Sequence, residues 1–233
     1  MSKPVCAVVG VGPGNGAALA RRFSASGYAV ALLARTGEAS SALAAELDDA
    51  HFYACDVGDA ASVAKAFAAV REELGEVDVL AYNAGSGVWG TIEEITPEGF
   101  EASWRVNALG TFLCAREVIP AMKAKGAGSI VIVGATASRR GAARTAAFAA
   151  AKAAQRSLAE SMAKHLWPAG IHVALIIVDG VVDLPRSRER MADKPDEFFV
   201  RPGAVAETAF MLTEQDRSAW SFELEARPFA EKW

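Results

Sequence analysis

Residues 5–23 read VCAVVGVGPGNGAALARRF. A β-branched apolar run, 5–11, stops in a cluster of glycines, and an Ala/Leu/Arg segment of helical period follows at once. The cluster is Gly10-Val11-Gly12-Pro13-Gly14-Asn15-Gly16. Glycines let the chain turn tightly and let its backbone come close to a pyrophosphate. The helix that follows offers free N–H groups and the positive end of its dipole to phosphate. Alone, such a cluster is equally an ordinary strand–helix turn. In the first strand–helix turn of an alternating chain it is a dinucleotide-binding signature, so the rest of the chain decides.

The rest alternates. Strand-like runs recur at 28–35, 51–57, 77–85, 129–135, 171–180 and 218–227, separated by helical segments at 17–27, 39–49, 61–75, 97–126, 145–166 and 204–214. Pro120 is expected to kink or divide the long 97–126 helix. Continuously apolar strands alternating with helices predict an α/β chain: a Rossmann-like, doubly wound parallel sheet of about seven strands with helices on both faces. No linker, repeat or low-complexity tract divides residues 1–233, so one NAD(P)-binding domain is expected. In such sheets ligands bind beyond the carboxyl ends of the strands, which makes every residue just after a strand a candidate.

Composition excludes other classes. Of 233 residues, 52% are hydrophobic and 22% charged, ample for a core. A net charge of −4 is too mild to predict nucleic acid or an anionic membrane as partner. Cys6, Cys55 and Cys114 are too scattered for metal ligation and read as small hydrophobes in a reducing compartment. No metal is expected. The chain runs directly into its first strand without a signal peptide, and no apolar run approaches the roughly 18 residues that span a bilayer, so a soluble cytoplasmic protein is predicted.

The ends of strands two and three bear on the cofactor. An NAD site places an acid about 20 residues beyond the loop to hold the ribose 2′-hydroxyl. Here the second strand ends Ala34-Arg35-Thr36. Two readings of Arg35 stand: it holds a 2′-phosphate, or it is a solvated charge and Glu38 takes the ribose. Glu38 fits better as a helix start, so NADP(H) is preferred and NAD(H) remains possible. Asp56, before Val57, places a carboxylate where an adenine amino group could be held.

Taken together, these residues resemble the short-chain dehydrogenase/reductase family along essentially the whole chain. Gly10, Gly14 and Gly16, with Asn15 between the last two, match its glycine loop. Asp56-Val57 matches its adenine-ring acid, and Asn83-Ala84-Gly85 its Asn-Ala-Gly motif after strand four. The resemblance implies that Asn107 holds a proton-relay water and that Lys152 grips the nicotinamide ribose. It also implies an NAD(P)-dependent oxidoreductase acting on a small molecule, and a homodimer or homotetramer.

The departures concern chemistry. The family's catalytic tyrosine stands one helical turn before the lysine, where this chain has Phe148 in FAAAK (148–152). Counting back to the exit of strand five gives Ala135 in place of the family's serine. After strand six, Asp179 replaces a proline and Leu184 stands near an expected threonine. Phe148 and Ala135 can neither donate a proton nor stabilise an oxyanion, each worth roughly two or more powers of ten. Ordinary ketone reduction is therefore expected to be slow, and a cofactor-binding sensor or scaffold is the alternative. Thr136, Ser138, Thr145, Arg139, Arg140 and Arg144 are the candidate substitutes, Thr136 first. Asp179 is expected at the catalytic rim, either as an acid of raised pKa, as a holder of a cationic substrate, or as a turn residue; Asp183 is the weaker candidate. His51, His165 and His172 read as structural. Residues 183–200 read as a mobile lid or a surface loop, and the aromatic segment 219–233 is expected to bury in a partner subunit. An iminium acceptor, which takes hydride without a donated proton, is the sharpest expectation for a substrate.

Overall fold

A computed structural model describes residues 3–230. Its elements run β1 (Val5–Val9), α1 (Asn15–Ala25), β2 (Ala29–Ala34), α2 (Glu38–Glu46), β3 (Ala50–Ala54), α3 (Ala60–Glu73), β4 (Val77–Tyr82), α4 (Pro97–Trp104), a π-helical turn (Arg105–Leu109), α5 (Gly110–Lys125), β5 (Gly128–Val133), α6 (Ala146–Leu166), β6 (Ile171–Val178), β7 (Val181–Val182), α7 (Pro185–Arg190), β8 (Phe199–Val200), α8 (Pro202–Thr213) and β9 (Glu223–Ala226). Seven strands form one parallel sheet in the order β3-β2-β1-β4-β5-β6-β9. Strand order reverses between β1 and β4, which brings the loops leaving β1, β4 and β5 side by side above the sheet.

The strands bury alternate residues in two cores. Val5, Ala7 and Val9 face one core with Phe67 of α3, Val118 of α5 and Ala159 of α6. Cys6 and Val8 face the other with Leu19 and Phe23 of α1 and Leu212 of α8. Both faces being covered explains the unbroken apolar strands. All three cysteines are free and buried. Burial pushes the Cys55 thiol up to about 11 and Cys6 and Cys114 well above their ordinary value, so they are inert packing groups.

Helix starts follow local chemistry. Thr96 caps α4, its hydroxyl accepting from the Gly99 N–H at 3.1 Å, with Pro97 in the first turn. Asp59 caps α3 by accepting from the Ala61 N–H at 3.0 Å. The 97–126 helix is irregular where proline does not stand: α5 runs through Pro120, and the break is the π turn around Asn107.

Several strands end earlier than their apolar runs. β4 stops at Tyr82 and β6 at Val178, because the residues beyond leave the ladder to build loops. The last strand covers only 223–226, preceded by a 3-10 turn at Arg217–Ala219. The C-terminal aromatics also correct an expectation. Trp220 stacks on His172 at 4.7 Å and meets Trp167 edge-on at 5.8 Å, so it is used within its own chain. Phe222 packs on the core, while Phe229 is exposed. Residues 231–233 of that segment lie outside the described residues. No helix among the described residues is long and apolar enough to cross a membrane.

Candidate functional site

The loops above the sheet enclose a cavity of about 1250 Å³. That exceeds the roughly 300–1,000 Å³ of a small-ligand pocket, as a dinucleotide beside a second molecule requires. Its floor is the glycine loop. Gly10 has φ +87°, and a Cβ there would stand 2.4 Å from the Ala84 backbone. A Cβ on Gly16 would stand 2.5 Å from the Gly10 carbonyl oxygen. Both glycines are required by close approach. Asn83 fixes the arrangement: its Nδ2 donates to the Gly10 carbonyl at 2.8 Å, tying the exit of β4 to the loop after β1.

The structure gathers most of the sequence-predicted residues here. Gly10, Gly14, Asn15 and Gly16 line one end of the cavity, with Arg35, Asp56 and Val57 at the ends of β2 and β3. Asn83, Ala84 and Gly85 line the middle, and Ala135, Phe148 and Lys152 the other end. Arg35 is exposed and has no intramolecular ion pair among the described residues. Glu38 begins α2 and does not line the cavity. Asp56 Oδ1 accepts from the Gly58 N–H at 2.9 Å. A buried acceptor, Asn15 Oδ1, has no protein partner at the cavity wall. Cradling glycines and a free helix N-terminus suit a pyrophosphate, and the unpartnered amide oxygen suits a hydroxyl or amide donor of the same ligand, so these residues fit a dinucleotide.

Asn107 does not line the cavity directly. Fully buried, it donates from Nδ2 to the carbonyls of Ser86 (2.9 Å) and Ser103 (2.8 Å). Its Oδ1 is buried without a partner. A Cβ on Gly85 would lie 3.5 Å from that oxygen and 3.9 Å from Lys152 Nζ, so both atoms border the niche that Gly85 leaves open. Lys152 is buried, and its ammonium donates to the Val133 carbonyl at 3.0 Å and to Gln155 Oε1 at 2.9 Å. Burial pushes its pKa from 10.5 down to about 7.

Phe148 and Lys152 lie one turn apart on the same face of α6, both at the cavity wall. The Phe148 ring packs on Trp89, with centroids 5.1 Å apart and planes tilted by 38°. Trp89, on the loop leaving β4, is 59% exposed and lines the cavity too. An aromatic wall thus lines the cavity one helical turn before Lys152.

The candidate substitutes are committed elsewhere. Thr136 Oγ1 donates to Asp179 Oδ1 at 2.5 Å, and the Ser138 hydroxyl accepts from the Ala135 N–H at 3.1 Å. The Thr145 hydroxyl donates to the Ala142 carbonyl at 3.0 Å. Arg139 pairs with Glu223 and Glu225, Arg140 with Asp179 and Arg144 with Glu94. None of these lines the cavity. The three histidines do not line it either; His172 is buried between the Leu212 and Ser221 carbonyls at 3.0 and 2.9 Å.

Asp179 corrects the sequence reading. It lies outside the cavity lining, buried among Thr136, Arg140 and Arg227. Burial alone would push its carboxyl up, but the Thr136 hydroxyl and the two guanidinium groups outweigh that and hold it below the ordinary value. It is an ionised tie between strand exits, not an acid of raised pKa. Asp183 is likewise held down, chiefly by hydrogen bonds from Arg188 at 2.7 and 2.8 Å.

The 183–200 segment covers the cavity. β7 pairs with β8 in parallel and pins the segment at both ends, while Leu184, Arg186 and Arg190 on or beside α7 line the opening. A Cβ on Gly14 would stand 2.4 Å from Leu184 Cδ2, so the lid rests on the glycine loop. Sequence reasoning missed Trp89 and Gln155. Trp89 follows a strand exit and was findable on that ground. Gln155 carried a signal as well: a polar residue three positions after Lys152, on the same inward helix face. Among the described residues no group of three or more His, Cys, Asp or Glu is placed to hold a metal.

Comparison with known proteins agrees with this geometry. The short chain dehydrogenase family matches residues 4–194. A 2-dehydro-3-deoxy-L-rhamnonate dehydrogenase (NAD(+)) of a Sphingomonas species is 37% identical over 168 residues, covering 71% of this chain and 68% of that protein. A protein of Xanthobacter autotrophicus described as inactive 2-(S)-hydroxypropyl-CoM dehydrogenase 2 is 31% identical over 83% of this chain and 90% of its own length. Among solved structures, a short-chain dehydrogenase from Rhodopseudomonas palustris superposes with a TM-score of 0.84 at 34% identity, covering 97% of this chain and 99% of that one. A metagenomic short-chain oxidoreductase in complex with NADP gives 0.86 at 28% identity, covering 99% of both. The chain belongs to the short chain dehydrogenase family.

Proposed function

We propose that this chain is an NADP(H)-dependent oxidoreductase of unusual mechanism, a single NAD(P)-binding unit that passes hydride to or from a small organic molecule held against the Trp89–Phe148 wall. The observation that carries it is the open cavity: it continues past the glycine loop to Phe148 and keeps a lid. A protein that merely binds the cofactor has no use for that second space. When bound, the dinucleotide supplies the hydride. The chain's residues do the rest. Gly10, Gly14, Gly16 and the start of α1 hold the pyrophosphate, Asp56 and Val57 the adenine, and Asn83–Gly85 and Lys152 the nicotinamide end. Arg35, exposed at the end of β2 and without an ion pair among the described residues, is the residue to hold a 2′-phosphate.

Phe148 and Ala135 stand where the family's tyrosine and serine would stand, and no described neighbour supplies the missing proton. Acceptors that need none are therefore favoured. An iminium carbon takes hydride while the C=N electron pair moves to nitrogen, leaving a neutral amine. An aromatic face attracts such a cation by about 0.5–2 kcal/mol. Asp179 has no part in this, being paired outside the cavity. A homodimer or homotetramer is the expected assembly.

Calorimetric titration tests the cofactor: NADPH binds more tightly than NADH, and Arg35→Ala weakens NADPH at least tenfold while leaving NADH within twofold. Equal losses overturn the preference. A panel of ketones, aldehydes and cyclic iminium ions tests the chemistry. Iminium reduction should exceed ketone reduction by at least two powers of ten and fall as pH rises above the imine pKa. The second reading is a non-catalytic NADP(H) binder, favoured by the engaged hydroxyls around Ala135 and by the relative described as inactive. Tight NADPH binding with no turnover of any acceptor would establish it.

A further inference from the structure

The irregular turn at Asn107 presents a carbonyl to buried side chains. In the π turn Arg105–Leu109 the Gly110 N–H bonds to the Arg105 carbonyl, five residues back, which breaks the regular α ladder. The Asn107 carbonyl accepts from two side chains: Gln155 Nε2 at 2.9 Å and Thr111 Oγ1 at 2.7 Å. Gln155 Nε2 also reaches Thr111 Oγ1 at 2.8 Å. The other end of the same amide, Oε1, accepts from Lys152 Nζ at 2.9 Å. All four side chains are buried, Gln155 and Thr111 completely.

The amide therefore spans the gap between the lysine and the helix carbonyl, using both its acceptor and its donor. A water in that gap could make the same two hydrogen bonds, but it could also pass a proton, since it both donates and accepts through one atom. A neutral amide accepts through oxygen and donates through nitrogen, and its N–H is far too weak an acid to pass a proton on. We propose that Gln155 is a positioning residue that takes the place of water between Lys152 and Asn107, fixing the lysine as a dry anchor at the cavity wall and closing the proton path behind it.

The consequence joins the two ends of the site. In front of Lys152 the hydroxyl-bearing position is Phe148; behind it the exit is Gln155. The lysine neither receives a proton from the helix side nor hands one to a neighbouring phenol. Its described hydrogen-bond partners are both neutral: the Val133 carbonyl and the Gln155 amide. The inference deepens the proposed function, since a lysine backed by an amide on its helix side suits acceptors that need hydride alone. The residue's placement does not depend on that reading.

The test is made on the cofactor-free protein, so it stands even if NADP(H) binding fails. Heteronuclear NMR follows the Lys152 Cε resonance with pH, assigned by its loss in Lys152→Arg. In the native chain it titrates near neutrality. Gln155→Glu sets a carboxylate beside the ammonium and should move the midpoint up by at least one pH unit. Gln155→Met, which keeps the bulk and removes the acceptor, should move it by at least half a unit. Gln155→Asn with water in the vacated space should restore exchange of the lysine's protons with solvent at least tenfold faster than native. A purely structural glutamine would lower thermal stability in all three while leaving midpoint and exchange rate in place. Unmoved midpoints in both the Glu and Met variants overturn the proposal, as does native exchange already as fast as in Gln155→Asn.

Discussion

Lys152 carries a cost that the surrounding residues do not offset. Its side chain is buried, and burial brings its pKa from 10.5 to about 7. The unfolded chain keeps the proton up to the ordinary value, while the folded chain releases it near neutrality. Below pH 7 both states are protonated and the full penalty of the buried ammonium is present. Between pH 7 and 10.5 the unfolded state binds more protons, so stability rises with pH. The rise cannot exceed about 1.4 kcal/mol per pH unit for one group. Urea unfolding of the native chain and of Lys152→Met, measured from pH 6.5 to 9.5, should therefore show curves that diverge upward in favour of the native chain. Parallel curves would mean that the folded lysine keeps its ordinary pKa. Such a cost is explained by ligand binding, since the ammonium has two protein acceptors and Lys152 also lines the cavity. Here the sequence was informative about place and silent about state. FAAAK put Phe148 and Lys152 on one helix face, and they share it. That Gln155, three positions on in α6, joins Lys152 to the Asn107 carbonyl needs the turn at Asn107 and α6 brought together, which no local pattern encodes.

At the scale of elements, periodicity located the strands and helices well and misjudged their ends. β4 and β6 stop before their apolar runs do, because Asn83 and Asp179 have side-chain partners outside the ladder that the sheet cannot supply. The helix over 97–126 shows the same limit from another direction. Proline was the visible irregularity in its sequence, yet α5 accommodates Pro120 and the helix deforms at Arg105–Leu109. Part of the setting is tertiary: Gln155 of α6 donates to the Asn107 carbonyl at that turn. The 183–200 segment is legible in composition only as a charged stretch ending in two aromatics, which suits a lid and a surface loop alike. Its anchoring is not, since β7 and β8 are two residues each and pair only because Val181 and Val182 leave β6 beside Phe199 and Val200.

Across the whole molecule, the distant end of the chain decides what the rim of the site can do. β9 closes the sheet's edge beside β6, and its neighbour Arg227 reaches back to Asp179, which in turn holds the Thr136 hydroxyl and Arg140. Three strand exits are thereby tied through one carboxylate. The hydroxyl of Thr136, next to Ala135 in sequence, is kept on that carboxylate instead of the cavity. A local reading of Asp179 sees only a carboxylate after a strand, where catalytic groups gather, because Arg227 is 48 residues away. The structural role makes a distinct prediction. The Asp179 and Arg227 side chains are 7% and 12% exposed, and Arg227 also pairs with Glu225, so removing the acid takes away one of the two carboxylates that face a largely buried guanidinium. Breaking a buried pair outright costs about 3–5 kcal/mol, and the remaining Glu225 holds the loss to about 3 kcal/mol or less. At about 2–4 °C per kcal/mol for a chain of this size, Asp179→Ala should lower Tm by up to roughly 12 °C. The carboxyl is held below its ordinary value, so its contribution is present above the unfolded pKa and is lost as pH falls through the folded one. The Tm gap between native and variant should accordingly be constant from pH 6 to 8 and narrow below pH 4. NADPH affinity at 20 °C should stay within twofold, because the residue does not touch the cavity. A variant with native Tm but lost turnover would return Asp179 to the chemistry; a thermally weakened variant that still binds NADPH assigns it to the frame that keeps Thr136 turned away.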